Sequence, residues 1–229
     1  MEKLGTNYGG WFIPKECKLD ENSIIYSGGV GEDISFDIKL QTKYSCNIIL
    51  FDPTKKAIKH FQECKNYFLN NTNYKFTGNI QSDYYKNIKD ENPNFDKIQY
   101  IDIGLWDKND KIKFYKQTNK NNVSQSIIPN MFTDECDIID VDSLKNIMQN
   151  LNHNYIDLLK LDIEGAEINV LNQMLDDNIF PKYLCVEFDL FLKKKDKTNL
   201  TKKLVNRLLQ NNYTILINDK MNITFTRNI

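Results

Sequence analysis

A run of three glycines within four residues is the first stretch of the chain whose residue types could do chemistry. Gly28, Gly29 and Gly31 directly follow the short apolar run of residues 24–26. Glycine lets the backbone turn tightly and lets a ligand approach the main chain without meeting a Cβ atom. The helix expected after this turn would direct free N–H groups at the same ligand. The pattern is typical of a nucleotide-binding turn, although a plain surface turn has the same composition.

Alternating charged side chains form the second such stretch. Lys160, Asp162 and Glu164 lie at the C-terminal end of an apolar run that begins at Ile156. Side chains at alternate positions of a strand point to one side of it, and ligands of open parallel sheets bind beyond the C-terminal strand ends. Asp162 or Glu164 is therefore a candidate general base or acceptor-orienting group, and Lys160 would bias their charge. The alternative is an internal salt-bridge cluster that supports the strand end.

Asp52 is the third candidate. It ends the apolar run of residues 46–51 and lies about 20 residues past Gly31. In dinucleotide-binding and related folds, a carboxylate at this place accepts hydrogen bonds from the ribose hydroxyls of the ligand. The alternative is a surface Asp that begins a helix, a position that Asp favours.

Strand and helix patterns alternate along the chain and would position these three candidates. Residues 34–40 fit a strand by their alternation and a helix by their i, i+4 pairs; we prefer a helix because parallel strands need a crossover. The last two strands are joined by so short a connection that they must be antiparallel. Apolar spacing predicts strands at 24–26, 46–51, 97–105, 111–115, 156–161, 183–189, 213–217 and 222–226. It predicts helices at 34–40, 57–68, 141–151 (with Asp142 or Ser143 as the N-cap), 170–175 and 200–209.

This pattern predicts a single α/β domain. We expect residues 1–22 to form a lead-in segment whose aromatic residues anchor it or cover a ligand, and residues 23–229 to form the domain itself. Residues 69–96 read as an irregular insertion with one short helix, and residues 116–135 as a long loop.

Composition excludes several classes of function. The formal net charge of −1 lacks the basic excess of nucleic-acid-binding proteins, so no nucleic-acid partner is expected. Five scattered cysteines and two histidines have no zinc-ligand spacing, so no structural metal is expected. The thiols predict a reducing, cytoplasmic location, and no stretch is apolar enough for a membrane span.

Residues 156–167, IDLLKLDIEGAE, resemble the signature of the FkbM-type S-adenosylmethionine-dependent methyltransferases. The first motif differs from the usual family pattern, because Ser27 stands where the family has Asp; residues 31–37, GEDISFD, are closer to a sub-branch of it. The resemblance covers about residues 20–190. Other similar segments follow in the family's order: LFDPT (50–54), GLWD (104–107), VSQS (123–126) and VEFD (186–189).

The resemblance implies a fold and a reaction. The fold would be a Rossmann-like methyltransferase domain, with a mostly parallel seven-stranded sheet, helices on both faces and a C-terminal antiparallel hairpin. The reaction would be methyl transfer from S-adenosylmethionine to a small-molecule or glycan acceptor, often at a hydroxyl group.

The resemblance also implies the cofactor-binding residues. The turn residues would cradle the methionine part, Asp52 with its neighbour Pro53 would hold the ribose, and Asp162 would face the methyl donor. Asp33 or Glu32 would replace the acid missing at position 27 as partner of the methionine ammonium. The remaining positions are Gly28, Gly29, Val30 and Gly31 in the turn, and Gly104 and Leu105 against the adenine.

Other interpretations stay open at this point. A catalytically silent cofactor-binding or scaffold domain would explain the altered first motif, and an NAD-dependent oxidoreductase would explain the glycine turn with Asp52. A divalent ion on Asp162, Glu164 and Asp189 is a further alternative, because hard cations favour oxygen ligands. The sequence identifies neither the acceptor nor the oligomeric state.

Overall fold

Twelve strands and six helices are present in the computed structural model, which describes residues 1–70, 73–115, 135–188 and 199–228. The strands are β1 (Glu2–Leu4), β2 (Trp11–Ile13), β3 (Ile24–Gly28), β4 (Asn47–Phe51), β5 (Ile98–Ile101), β6 (Gly104–Trp106), β7 (Asp110–Tyr115), β8 (Cys136–Ser143), β9 (Leu158–Leu161), β10 (Tyr183–Glu187), β11 (Tyr213–Asp219) and β12 (Asn222–Arg227). The helices are α1 (Ser35–Tyr44), α2 (Lys55–Leu69), α3 (Tyr84–Ile88), α4 (Leu144–Asn150), α5 (Glu167–Asp176) and α6 (Leu200–Gln210), with one 3₁₀ turn at Phe95–Lys97.

A seven-stranded, mostly parallel sheet organises this mixed α/β fold. Its strand order is β11-β12-β10-β9-β3-β4-β5. Strand β9 is parallel to β3 and β10, and β3 and β5 are parallel to β4. Strand β12 is antiparallel to β10 and to β11, which confirms the predicted C-terminal hairpin. The C-terminal ends of β3, β4, β5, β9 and β10 therefore meet at one edge of the sheet.

Helices cover both faces of this sheet. Along β3 and β9, neighbouring side chains enter different hydrophobic clusters: Ile25 and Leu158 pack with α1 and α2, and Tyr26 and Leu159 pack with α4, α5 and α6. This alternation follows from the period of two in a strand. Because both faces are buried, the strands read as almost continuous apolar runs.

The helix preferred for residues 34–40 is confirmed as α1. Ile34, Phe36, Ile38 and Leu40 are all buried, although they lie on different sides of the helix. A helix buried on nearly every side carries apolar residues at many spacings, which explains why its sequence also fitted a strand.

The strand predicted for residues 97–105 is confirmed over Ile98–Ile101 as β5, but its continuation is wrong, because the chain leaves the large sheet after Ile101. Residues 104–106 form β6 in a second sheet of order β6-β8-β7. There Gly104 pairs with Val141, and a Cβ atom at Gly104 would lie 3.0 Å from Val141 Cγ1. An apolar run specifies a strand but not the partner strand, so the sequence could not reveal this division.

Strand β8 was not predicted, whereas the helix predicted within residues 141–151 is confirmed as α4. Residues 141–143 belong to β8, and α4 begins only at Leu144. Ser143 is the N-cap, as expected: its side-chain oxygen accepts a hydrogen bond from Asn146 N.

Residues 1–13 form a β1–β2 hairpin that packs against the domain. Trp11 and Ile13 are buried in the core cluster that contains α1, and Thr224 Oγ1 donates a hydrogen bond to Phe12 O at 2.7 Å. Residues 69–96 contain one short helix, α3, as predicted. The expected loop at 116–135, including the VSQS motif, lies almost entirely outside the described residues. Within the described ranges, no helix combines the length and the apolar character needed to cross a membrane.

Candidate active site

A cavity of about 300 Å³ opens at the C-terminal ends of β3, β4 and β9. It is the place where the sequence predicted ligand binding. Most of the predicted site residues line it: Gly29, Val30, Gly31, Asp33, Asp52, Pro53, Gly104, Leu105, Lys160, Asp162 and Glu164. Gly28 does not line it, because the side chain of Leu105 lies over the Cα atom of Gly28.

The glycine turn has a backbone that other residues would not adopt easily. Gly29 has a φ of +71°, and a Cβ atom there would lie only 1.7 Å from the carbonyl oxygen of Asp162. Gly31 has a φ of +53° and donates its N–H to Asp52 Oδ2 at 3.0 Å. Glycine is therefore required at position 29 both for the backbone angle and for the close contact with Asp162.

Asp52 connects the glycine turn to the start of α2. Its Oδ1 accepts a hydrogen bond from Thr54 N at 2.8 Å, and its Oδ2 accepts the one from Gly31. Tyr100 holds the backbone here, since its hydroxyl donates to Asp52 O at 2.7 Å. A carboxylate oxygen can accept two hydrogen bonds, so each oxygen of Asp52 retains capacity for a ligand hydroxyl.

Lys160 lies beneath the glycine turn. Its Nζ donates to Gly29 O at 2.6 Å and to Gly28 O at 3.3 Å, and it lies 3.7 Å from Asp162 Oδ2. Only 5% of the residue is exposed. Its ammonium group therefore lies closer to the carbonyl oxygens of the turn than to the carboxylate of Asp162.

The alternation expected of Lys160, Asp162 and Glu164 does not continue past the strand. Strand β9 ends at Leu161, and Glu164 has a φ of +55° in the following turn. The turn nevertheless brings Asp162 and Glu164 close enough for their charges to interact. Burial raises the pKa of Asp162, Lys160 opposes the rise, and Glu164 adds to it.

Glu187 also belongs to this acidic group, although the sequence reading did not select it as a site residue. It follows Val186, which pairs with Leu161 across the parallel strands β9 and β10, and its side chain hydrogen-bonds the carboxyl group of Asp162. An acid at the end of the next parallel strand was the signal that could have found it.

The acids after the glycine turn contact two other segments of the chain. Asp33 Oδ2 accepts a hydrogen bond from Thr6 Oγ1 at 2.5 Å, and its Oδ1 accepts one from Ser35 N at 3.0 Å. Glu32 Oε2 accepts one from Asn79 N at 3.4 Å. The N-terminal hairpin and the segment before α3 are thus attached to the rim of the cavity.

Tyr8 lies at the cavity mouth, on the loop of the hairpin. The residue is 69% exposed and lines the cavity. Partial burial and the charges of Asp162 and Glu164 raise the pKa of its hydroxyl. The sequence favoured an anchoring role for the aromatic residues of this segment; Trp11 has that role, whereas Tyr8 faces the cavity.

Part of the cavity wall is apolar. It comes mainly from the second sheet, which the sequence did not reveal, and Pro53 lies beside Gly104 of that sheet. Additional lining residues that sequence reasoning missed are Gly9, Thr54, Asn79, Gln81, Ile112, Phe114, Ile139, Val141, Ile163 and Ala166.

The model of the family described as "Methyltransferase FkbM domain" matches residues 24–215, most of the 229-residue chain. The chain belongs to the FkbM methyltransferase family. No curated protein and no solved structure matched it.

The FkbM methyltransferase domain includes the glycine turn, Asp52 and the acidic end of β9. The matched range begins after the β1–β2 hairpin and does not include Tyr8. In the part of the FkbM domain that the structure describes, no group of three or more His, Cys, Asp or Glu residues is arranged to hold a metal ion. Asp189, the third ligand considered above, lies outside those residues.

Proposed function

We propose that this FkbM methyltransferase transfers a methyl group from S-adenosylmethionine to a hydroxyl group of a sugar, glycan or other small molecule. The observation that carries the proposal is the mixed chemistry of the cavity lining. Part of it is acidic, with Asp33, Asp52, Asp162 and Glu164, and among the described residues Lys160 is the one lysine that lines the cavity. Another part is apolar, with Leu105, Ile112, Phe114, Ile139 and Val141. A ligand that carries a cationic sulfonium, an ammonium and an adenine would use both kinds of lining.

The order of the strands supports a Rossmann-like methyltransferase fold. Counted along the chain within the large sheet, the strands lie in the order 3-2-1-4-5-7-6, and strand 7 is antiparallel. The order reverses between β3 and β9. Ligands of open α/β sheets bind in the crevice at such a switch point, and both β3 and β9 end at the cavity.

Residues of the glycine turn and the acids near it would bind the parts of S-adenosylmethionine. Gly29, Val30 and Gly31 line the cavity with a turn that packs directly on Asp162, since a Cβ atom at Gly29 would collide with Asp162 O. Asp52 would accept hydrogen bonds from the ribose, and the carboxylates of Asp33 and Glu32 would face the methionine ammonium. Bound S-adenosylmethionine supplies the electrophilic methyl group, so the protein mainly binds and aligns the reactants.

Asp162 is our candidate for the proton acceptor. An alcohol must lose its proton as it attacks, and a base with a raised pKa takes that proton more readily near neutral pH. Burial raises the pKa of Asp162, and its carboxylate lines the cavity beside the turn. Glu164 and Glu187 would orient the acceptor or share the proton.

Calorimetric titration tests the cofactor assignment. We expect S-adenosylmethionine and S-adenosylhomocysteine to bind and NAD not to bind. Asp52→Asn should weaken binding about tenfold or more, because hydrogen bonds to a charged group contribute about 1.5–3 kcal/mol each. Asp96→Asn makes the same charge change at an exposed site and should have no effect. If neither S-adenosylmethionine nor S-adenosylhomocysteine bound, the proposal would be overturned.

Release of S-adenosylhomocysteine in the presence of a panel of sugars, glycosides and amines tests the chemistry. We expect Asp162→Asn to bind S-adenosylhomocysteine like the wild type but to lose about a hundredfold or more in turnover, the usual contribution of a general base. Wild-type turnover by this variant would exclude Asp162 as the base. Turnover with amines alone would exclude O-methylation.

A further inference from the structure

Two side chains of opposite charge are buried on the face of the large sheet that α1 covers. Lys160 on β9 is 5% exposed and Asp37 on α1 is 2% exposed. Burying an isolated charge is very costly, so each of these groups requires a partner. Asp162 is one partner of Lys160, but it lies at 3.7 Å and belongs to the cavity.

Asp37 provides a second negative charge near Lys160, from the helix that covers the face of the sheet on which Ile25 and Leu158, and by alternation Ser27 and Lys160, lie. The positive charge of Lys160 lowers the pKa of Asp37, opposing a rise to about 6 caused by burial. Asp37 is therefore mainly ionised at neutral pH. The Ser27 side chain and the Asp37 backbone also lower this pKa, and the negative charge of Asp33 raises it.

The position of Ser27 explains why the second negative charge near Lys160 must come from α1. Ser27 and Lys160 are direct partners across the parallel strands β3 and β9, so their side chains lie side by side on the same face. An acid at position 27, where the FkbM pattern usually has Asp, would sit next to Lys160. Among the described residues, Ser27 Oγ and Asp37 Oδ1 are both buried without a hydrogen-bond partner.

Lys160 in turn holds the glycine turn, through its hydrogen bonds to the carbonyl oxygens of Gly28 and Gly29. Those bonds fix the peptide groups that lead into the turn. Without a second negative charge nearby, the Lys160 ammonium would be drawn toward the carboxylate of Asp162 and away from these carbonyl oxygens.

We propose that Asp37 and Lys160 are positioning residues of the cofactor site, in which Asp37 supplies from α1 the negative charge that Ser27 does not, and so keeps the Lys160 ammonium on the carbonyls of Gly28 and Gly29. This role deepens the proposed function, on which it rests, and gives Lys160 a task that involves no contact with the reacting atoms.

A charge-relocation series tests the proposal by titration with S-adenosylmethionine at neutral pH. Asp37→Asn should weaken binding about tenfold or more. Combining it with Ser27→Asp returns a carboxylate to Lys160 from the neighbouring strand and should restore affinity close to that of the wild type. Asp157→Asn is the matched control: its half-buried carboxylate lies at the other end of β9, where it accepts a hydrogen bond from Ile24 N, and affinity should not change.

Two outcomes would overturn the proposal: wild-type affinity in folded Asp37→Asn, or no recovery in the double variant. If Asp37→Asn alone fails to fold, the pair Asp37→Asn with Lys160→Met removes both buried charges, which cores often tolerate. That variant should fold and bind weakly, because no ammonium holds the turn; wild-type affinity would again contradict the role.

Hydrogen exchange of the backbone amides of residues 29–31 separates this proposal from the proposed function, because it needs no cofactor. Exchange should be faster in Asp37→Asn and return toward the wild-type rate in the double variant. If the wild type bound no S-adenosylmethionine, the proposed function would fail while this pattern would still support the role of Asp37. If the exchange rates were unchanged in all variants, the proposed role of Asp37 would be excluded.

Discussion

Gly29 is the residue at which the glycine turn meets the acidic end of β9. Its N–H donates to Phe51 O at 2.9 Å, and its Cα faces the carbonyl oxygen of Asp162. The N–H of Asp162 donates in turn to Gly28 O at 3.1 Å. These contacts are between backbone atoms, so the distance between the turn and the Asp162 carboxylate is set by the main chain.

Replacement of Gly29 by Ala should therefore disrupt the site. The new Cβ atom would overlap Asp162 O, and the positive φ would be strained for any side chain. We expect a loss of stability of about 1–3 kcal/mol from the backbone strain alone, together with loss of cofactor binding. Thermal unfolding and calorimetric titration would measure the two effects.

Gly28→Ala is the matched control, since its Cβ would meet side chains and no backbone: the end of the flexible Leu105 at 2.7 Å, and Ile163 and Leu161 at 3.4 Å. It should keep more stability and more cofactor affinity than Gly29→Ala. Equal behaviour of the two variants would contradict the importance of the contact with Asp162.

The β1–β2 hairpin is the element that brings Tyr8 to the cavity. Thr6 fastens it: its hydroxyl donates to Asp33 Oδ2 and accepts from Gly9 N at 2.8 Å, and its N–H donates to Ser35 Oγ at 2.9 Å. The hairpin is therefore attached to the turn that carries Asp33. Its position and the shape of the cavity rim are coupled.

Thr6→Val removes the hydroxyl and keeps the shape of the side chain. We expect a loss of about 1–3 kcal/mol in the free energy of unfolding, because Gly9 N and Asp33 Oδ2 lose their partner in a largely buried place. Urea denaturation gives the loss, and hydrogen exchange of residues 5–10 shows whether the hairpin is released. Thr6→Ser retains the hydroxyl and should protect these amides better than Val does; the opposite order would refute the anchoring role.

The molecule as a whole buries ionisable groups whose effects on stability oppose each other. His60 Nε2 lies 2.8 Å from the hydroxyl of Tyr84, and burial lowers the pKa of His60 to about 4. Burial raises the pKa of Asp37 to about 6. The contribution of neutral His60 is complete above pH 6.5 and is lost as the pH falls through 4. The contribution of the neutral Asp37 carboxyl to stability is complete below pH 3.8 and is lost as the pH rises through 6.

Replacement of His60 by Phe should consequently stabilise the protein in acid relative to the wild type. The wild type loses about 3 kcal/mol through His60 between its ordinary pKa and its lowered one, and the variant does not. Urea unfolding at a series of pH values gives the difference between the two proteins. The variant also loses the hydrogen bond to Tyr84, which lowers its free energy of unfolding by the same amount at every pH. If the difference in free energy of unfolding between the two proteins stayed constant across this pH range, His60 would not be buried in its neutral form.

The sequence by itself determined the features that depend on neighbouring residues. The alternation of strands and helices, the glycine turn, the strand-end acids Asp52 and Asp162 and the C-terminal hairpin were all readable, because local apolar spacing and turn residues specify them. A family signature of twelve residues then pointed to methyl transfer.

Only the tertiary structure decided the features that depend on residues distant in the chain. It assigned β6 to a second sheet with β8, placed Tyr8 at the cavity mouth, turned Lys160 beneath the glycine turn and set Asp37 near it. In each case the local pattern fits more than one arrangement. The choice depends on which distant strand or helix packs there, and on the cost of leaving a buried charge without a partner.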